Sequence, residues 1–182
     1  MEVASIDRSK EWTIDDYLQL EEGLLAQLID GKLIMSPAPT TRHQRTLKNL
    51  FLLIEGMMKG ETFFAPMDLY IGNKDVFQPD LVYVSDSSKD IITDRGIEGV
   101  PELIAEIISP SNSFIDRNTK KKKYLKAGVR EYWIIDPANE TLEIYTPEDE
   151  DNPRLYLARD GKVTSILSKT IHFDLEELFK IK

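Results

Sequence analysis

The chain has 182 residues, 41% of them hydrophobic and 30% charged, which fits one globular domain over 1–182 large enough to bury a real core. It has no cysteine, so disulfides, zinc–cysteine sites and thiol nucleophiles are excluded. Its formal net charge of −9 runs against the positive face that phosphate binding usually requires, so any nucleic-acid binding must rest on a local basic patch, on metal ions or on dimerisation. No apolar run approaches the roughly 20 residues that span a bilayer, and the N-terminus lacks a basic-then-apolar signal pattern. The expectation is a cytoplasmic chain with no membrane partner.

In chain order, residues 1–10 read as a loose arm. Thr13, with Asp16 three residues on, has the spacing of a capping box for a short helix running to Leu20. Apolar runs at 24–29 and 32–36 flank Asp30-Gly31, the strongest short-range hairpin signal, because both turn residues tolerate positive φ. Pro37 and Pro39 stop the second strand. From 40 to 58, Leu47, Leu50, Phe51, Ile54 and Met58 recur at helical spacing. Strand-like stretches follow at 62–64, 68–71 and 79–84.

The stretch 103–108 reads as a strand covered on both faces. Ser109-Pro110-Ser111 ends it and launches a helix over 112–127, closed by Gly128. Residues 131–135 form a third apolar strand, and a turn at 136–139 leads into an antiparallel partner at 142–145. A further strand at 155–158, a turn at Asp160-Gly161 and a terminal helix near 174–179 complete the chain. The strand–helix–strand unit at its centre predicts a right-handed crossover and a parallel pair within a mixed sheet. The fold class is α/β: a mixed central sheet flanked by helices, with an N-terminal β-hairpin.

Two acids interrupt this pattern. Glu106 lies between Ala105 and Ile107 in a core strand, where a carboxylate must be paired, neutralised or bound to a metal. Asp80 opens the neighbouring strand after Pro79. Together they make a hard-oxygen set suited to magnesium or manganese. The alternative is structural: Glu106 pairs with a helix lysine and Asp80 caps a turn. A basic block, Lys120 to Lys123, follows the Glu106 strand, and helical spacing puts Asp116, Lys120 and Tyr124 on one face. A lysine there could reach back to stabilise charge on a phosphoryl group; most such runs are simply solvated, so one or two at most point at the site. His43 and His172 lack metal-ligand spacing to each other, and there is no HExxH, Walker or GxGxxG pattern. His172 reads as structural or surface.

The run 101–111, then Asp116-Arg117, Lys120, Tyr124, Ala127-Gly128-Val129 and 131–137, preceded by 28–33, Met35-Ser36-Pro37, His43 and Pro79-Asp80-Leu81, resembles the Uma-type restriction endonucleases of the PD-(D/E)XK nuclease superfamily. The resemblance runs from about Tyr17 to Tyr145. It implies a restriction-endonuclease-like sandwich and a DNA phosphodiester hydrolase using Mg²⁺ or Mn²⁺, with Asp80 and Glu106 as metal ligands. The usual lysine position falls on Ile108, and the family's displaced lysine matches Lys120, which completes a catalytic set of Asp80, Glu106 and Lys120. Gln27 stands where family members often carry Glu; with Tyr124 and His43 it forms the accessory set. A homodimer is expected of the same chemistry, since two related sites readily cut both strands. The competing expectation is a nuclease-fold module that binds or assembles without cutting.

Overall fold

The computed structural model describes residues 10–21, 23–109, 113–168 and 171–181. Apart from Lys10, the arm expected over 1–10 lies outside the described residues, as do Pro110 to Asn112 at the expected helix start. Helix α1 (Ile14–Tyr17) is shorter than its pattern suggested, but its cap forms as read: Thr13 Oγ1 accepts from Asp16 N at 3.2 Å and Asp16 Oδ2 accepts from Thr13 N at 3.0 Å. Strands β1 (Ala26–Ile29) and β2 (Lys32–Met35) make the hairpin, with Asp30 and Gly31 at φ 51° and 71°. Helix α2 (Thr41–Met57) is capped by Thr40, whose hydroxyl accepts from His43 N at 3.2 Å.

The chain continues through β3 (Gly60–Phe64), β4 (Leu69–Ile71), β5 (Asp75–Phe77), β6 (Leu81–Ser85), a 3₁₀ turn, β7 (Ile92–Thr93), β8 (Gly96–Glu98) and β9 (Leu103–Ile107). The next helix differs from the uniform one expected. Ile115–Lys120 winds as a π-helical segment before α3 (Lys121–Ala127), which Gly128 closes at φ 105°. Strands β10 (Glu131–Asp136), β11 (Thr141–Tyr145), β12 (Arg154–Leu157), β13 (Lys162–Thr164) and β14 (His172–Asp174) precede α4 (Glu176–Phe179).

The central sheet runs β12-β11-β10-β9-β6-β3, and β9 and β10 are parallel, as the crossover requires. A second six-stranded sheet, β2-β1-β5-β4-β8-β7, grows from the hairpin. Period-two alternation divides the central strands between two cores. Leu103, Ala105 and Ile107 face α2 through Leu47, Leu50 and Ile54, together with Leu175 and Leu178 near the C-terminus. Ile104 and Ile134 face Tyr124 and Leu125 of α3 and Phe77 of the second sheet. Glu106 shares the parity of Ile104, so it is buried on the α3 side. Trp133 and Tyr145 are buried core residues and present no surface to a partner. Among the described residues no helix is long and apolar enough to cross a membrane.

Candidate active site

The register of β6 with β9 pairs Leu81 with Ala105, so one step further along this antiparallel ladder Asp80 and Glu106 lie side by side. Ile107 N donates to Asp80 Oδ2 at 2.7 Å, tying the aspartate to the strand that carries the glutamate. His43, in the first turn of α2, places Nε2 3.1 Å from the same oxygen. Its Nδ1 is buried and has no hydrogen-bond partner among the described residues. Two distant stretches of sequence are therefore joined at one strand pair.

From the opposite side, Lys120 Nζ donates to Glu106 Oε1 at 2.9 Å and lies 3.1 Å from Asp116 Oδ1. Tyr124 Oη donates to Glu106 Oε1 at 3.2 Å. Glu106, Asp116 and Lys120 are each only 4% exposed. The sequence spacing thus aligned Asp116, Lys120 and Tyr124 correctly but assigned Asp116 no role. Its place beside Lys120 is the chief addition that the structure makes to the site.

Acid is in surplus here. Burial pushes the Glu106 carboxyl well above the usual range; Lys120 opposes this, while Asp116 and Asp80 add to it. Asp116 is likewise raised by burial, against the pull of Lys120. Burial would lower the Lys120 ammonium, but Glu106 and Asp116 outweigh it, so the lysine stays charged. Burial also acts to lower His43, and its hydrogen bond to Asp80 reverses that, leaving it raised. Tyr124 is driven far upward by burial and then by the Glu106 charge, so it remains a donor.

Asp80 and Glu106 are the hard-oxygen donors that could hold a divalent cation. Glu106 is held through Oε1 and Asp80 through Oδ2, so among the described residues no hydrogen bond occupies Glu106 Oε2 or Asp80 Oδ1. No group of three or more His, Cys, Asp and Glu side chains with metal-holding geometry occurs among the described residues. Magnesium typically takes one or two carboxylates and keeps several waters.

The remaining sequence candidates make no described hydrogen bond to Asp80 or Glu106. Gln27 is buried and makes its hydrogen bonds to the backbone of Gln78 (3.1 Å, accepting) and to Ser36 Oγ (3.3 Å, donating). Of the lysine block, Lys123 bridges Asp30 and Asp75 at 2.6 and 2.7 Å, tying α3 to the hairpin, and Lys121 lies 5.0 Å over the Tyr145 ring. Lys122 is exposed. Within this block, and among the described residues, only Lys120 pairs with Glu106 and Asp116.

A mixed sheet with an acid pair on adjacent strands and a lysine on the following helix defines a restriction-endonuclease-like α/β protein. The family described as "Uma2: Putative restriction endonuclease" matches residues 14–179, and the chain belongs to it. The crystal structure of a "putative nuclease belonging to DUF820" from Anabaena variabilis superposes with a TM-score of 0.78 at 23% identity, covering 92% of this chain and 97% of that one. "Uncharacterized protein sll1609" of Synechocystis sp. is 31% identical over 146 residues, 75% of this chain and 81% of that protein.

Proposed function

We propose that this protein is a divalent-metal-dependent endonuclease hydrolysing DNA phosphodiester bonds, with Asp80, Glu106 and Lys120 as its working residues. The observation that carries the reading is the meeting of Asp80 and Glu106 at one strand pair, each fixed through one oxygen, with no described hydrogen bond at the other. Mg²⁺ or Mn²⁺ would be held by those second oxygens and would supply Lewis acidity at the phosphate and a more acidic bound water. Ile107 N–H and His43 set the orientation of Asp80. Tyr124 and Lys120 hold Glu106 from the other side. Lys120 donates one ammonium hydrogen to Glu106 and pairs with Asp116 at 3.1 Å. An ammonium has three donors, so one that remains would serve a water or a phosphoryl oxygen, where Lys120 stabilises developing charge.

Nicking of supercoiled plasmid tests this. Wild type with Mn²⁺ should convert plasmid to the open circle, and Glu106→Ala should abolish conversion. Equal residual conversion by both proteins would mark the activity as contamination.

One observation favours a second reading, a nuclease-fold module that binds or assembles without cutting. Lys120 is already engaged by two buried carboxylates, which is a self-sufficient structural arrangement. Calorimetric titration with Mn²⁺ separates the two: binding weakened by Asp80→Ala supports the enzyme, and absent binding supports the module.

A further inference from the structure

A cavity of about 620 Å³ opens between α1 with its following turn, the β3–β4 connection and the β7–β8 hairpin. Its volume lies within the range of small-molecule sites. Leu24, Phe63, Met67, Ile92 and Ile97 give it apolar walls. Its polar side is an organised network. Asp68 Oδ1 accepts from Tyr17 Oη at 2.8 Å and Gln78 Nε2 at 2.9 Å, and Oδ2 accepts from Tyr70 Oη at 3.2 Å. No cation pairs with Asp68 among the described residues.

Because Asp68 Oδ2 carries a single long hydrogen bond, it keeps room for another donor. Gln78 directs its amide hydrogens to Tyr17 and Asp68, and its carbonyl oxygen is engaged by no described residue. The cavity therefore offers acceptors within apolar walls. A ligand that satisfies it combines an apolar body with N–H donors on one edge. Arg95 lies at the rim, its guanidinium 4.5 Å from the Tyr70 ring centre, and the rim acids Glu21 and Asp94 disfavour entry of a phosphate.

The cavity adjoins the acid centre. Gln78, in its wall, is two residues before Asp80, roughly 7 Å along extended chain. Its backbone N–H is held by Gln27 at 3.1 Å. Ala65, directly before the wall residue Pro66, donates to the Asp80 carbonyl at 3.1 Å.

We infer that this cavity is a nucleobase pocket, receiving from the nucleic acid at the acid–lysine centre a base that bears an exocyclic amino group: adenine, cytosine or guanine. The inference rests on the nucleic-acid reading proposed above and deepens it. Carboxylate and amide oxygens recognise such amino groups, which thymine lacks. An unstacked base supplies the apolar faces.

The full-length protein titrated with free nucleosides tests the pocket independently of the metal centre. Deoxyadenosine, deoxycytidine or deoxyguanosine should shift the amide resonances of Gln78, Gly96 and Ile97, with thymidine leaving them in place. The cavity-filling Leu24→Trp, checked for folding by circular dichroism, should lose the response. A second arm moves one abasic position along single-stranded oligonucleotides. Affinity should fall about tenfold or more at one position only. Silence toward all four nucleosides, an equal response to thymidine, or a flat abasic profile overturns the pocket. If wild type cuts DNA while the pocket stays silent, the nuclease reading stands without it; if amino nucleosides shift the pocket but no DNA is cut with Mn²⁺, the pocket stands and the nuclease reading falls.

Discussion

Replacing Lys120 with Met removes the ammonium that pairs with Glu106 and Asp116 and keeps most of the side-chain volume. Lys120 touches Glu106 at 2.9 Å and Asp116 at 3.1 Å, with all three residues 4% exposed. Breaking a buried pair by deleting one partner costs about 3–5 kcal/mol when the other stays charged. These acids have an escape, because they can take up protons. Asp116, already raised by burial and held down by Lys120, rises further when the ammonium is gone. Its folded pKa then lies above its unfolded value, so between the two the folded state holds a proton that the unfolded state releases. Stability of the variant falls as pH rises through that window, by about 1.4 kcal/mol per pH unit for each retained proton. Urea unfolding in EDTA should show a loss of about 1–2 kcal/mol at pH 5, growing to about 3–5 kcal/mol at pH 7. An equal loss at both pH values would refute the idea that Lys120 balances buried charge.

Mn²⁺ at a hundred times its dissociation constant should stabilise the wild type by about 2.7 kcal/mol, a rise of roughly 5–10 °C in Tm, and scanning fluorimetry should find that rise missing in Asp80→Asn. Ser88 donates to Glu102 Oε1 at 2.6 Å; burial pushes the Glu102 carboxyl up, but this bond and those from Ser85 outweigh it and hold it below the usual range. Ser88→Ala should therefore cost up to about 1 kcal/mol at neutral pH in denaturant melts, with the difference vanishing as pH falls through the lowered carboxyl pKa. A Cβ at Gly96, where φ is 144°, would overlap the Asp68 carbonyl oxygen at the β4–β8 pairing, so Gly96→Ala should destabilise by about 2–3 kcal/mol in the same melts.

The strongly patterned parts of the chain were legible. Asp30-Gly31 marked its hairpin, the 47–58 apolar spacing its helix, and the strand–helix–strand run its parallel pair. Glu106 stood out as an acid where alternation calls for an apolar residue, and helical spacing put Lys120 in line with Tyr124. The second sheet was largely hidden because β5, β7 and β8 have only two or three residues each, too few to express a period. Strands β13 and β14 were missed for the same reason. The π-helical winding at Ile115–Lys120 left no pattern signal, since it changes the turn within one helix without changing which residues are apolar. The cavity beside Asp68 was invisible because its walls come from four separate stretches of chain.

Anomalous diffraction from crystals grown with Mn²⁺ bears most directly on the whole picture. A manganese peak roughly 2.0–2.3 Å from one oxygen each of Asp80 and Glu106 is the expected result. A peak that avoids both side chains, or none at saturating Mn²⁺, would contradict it.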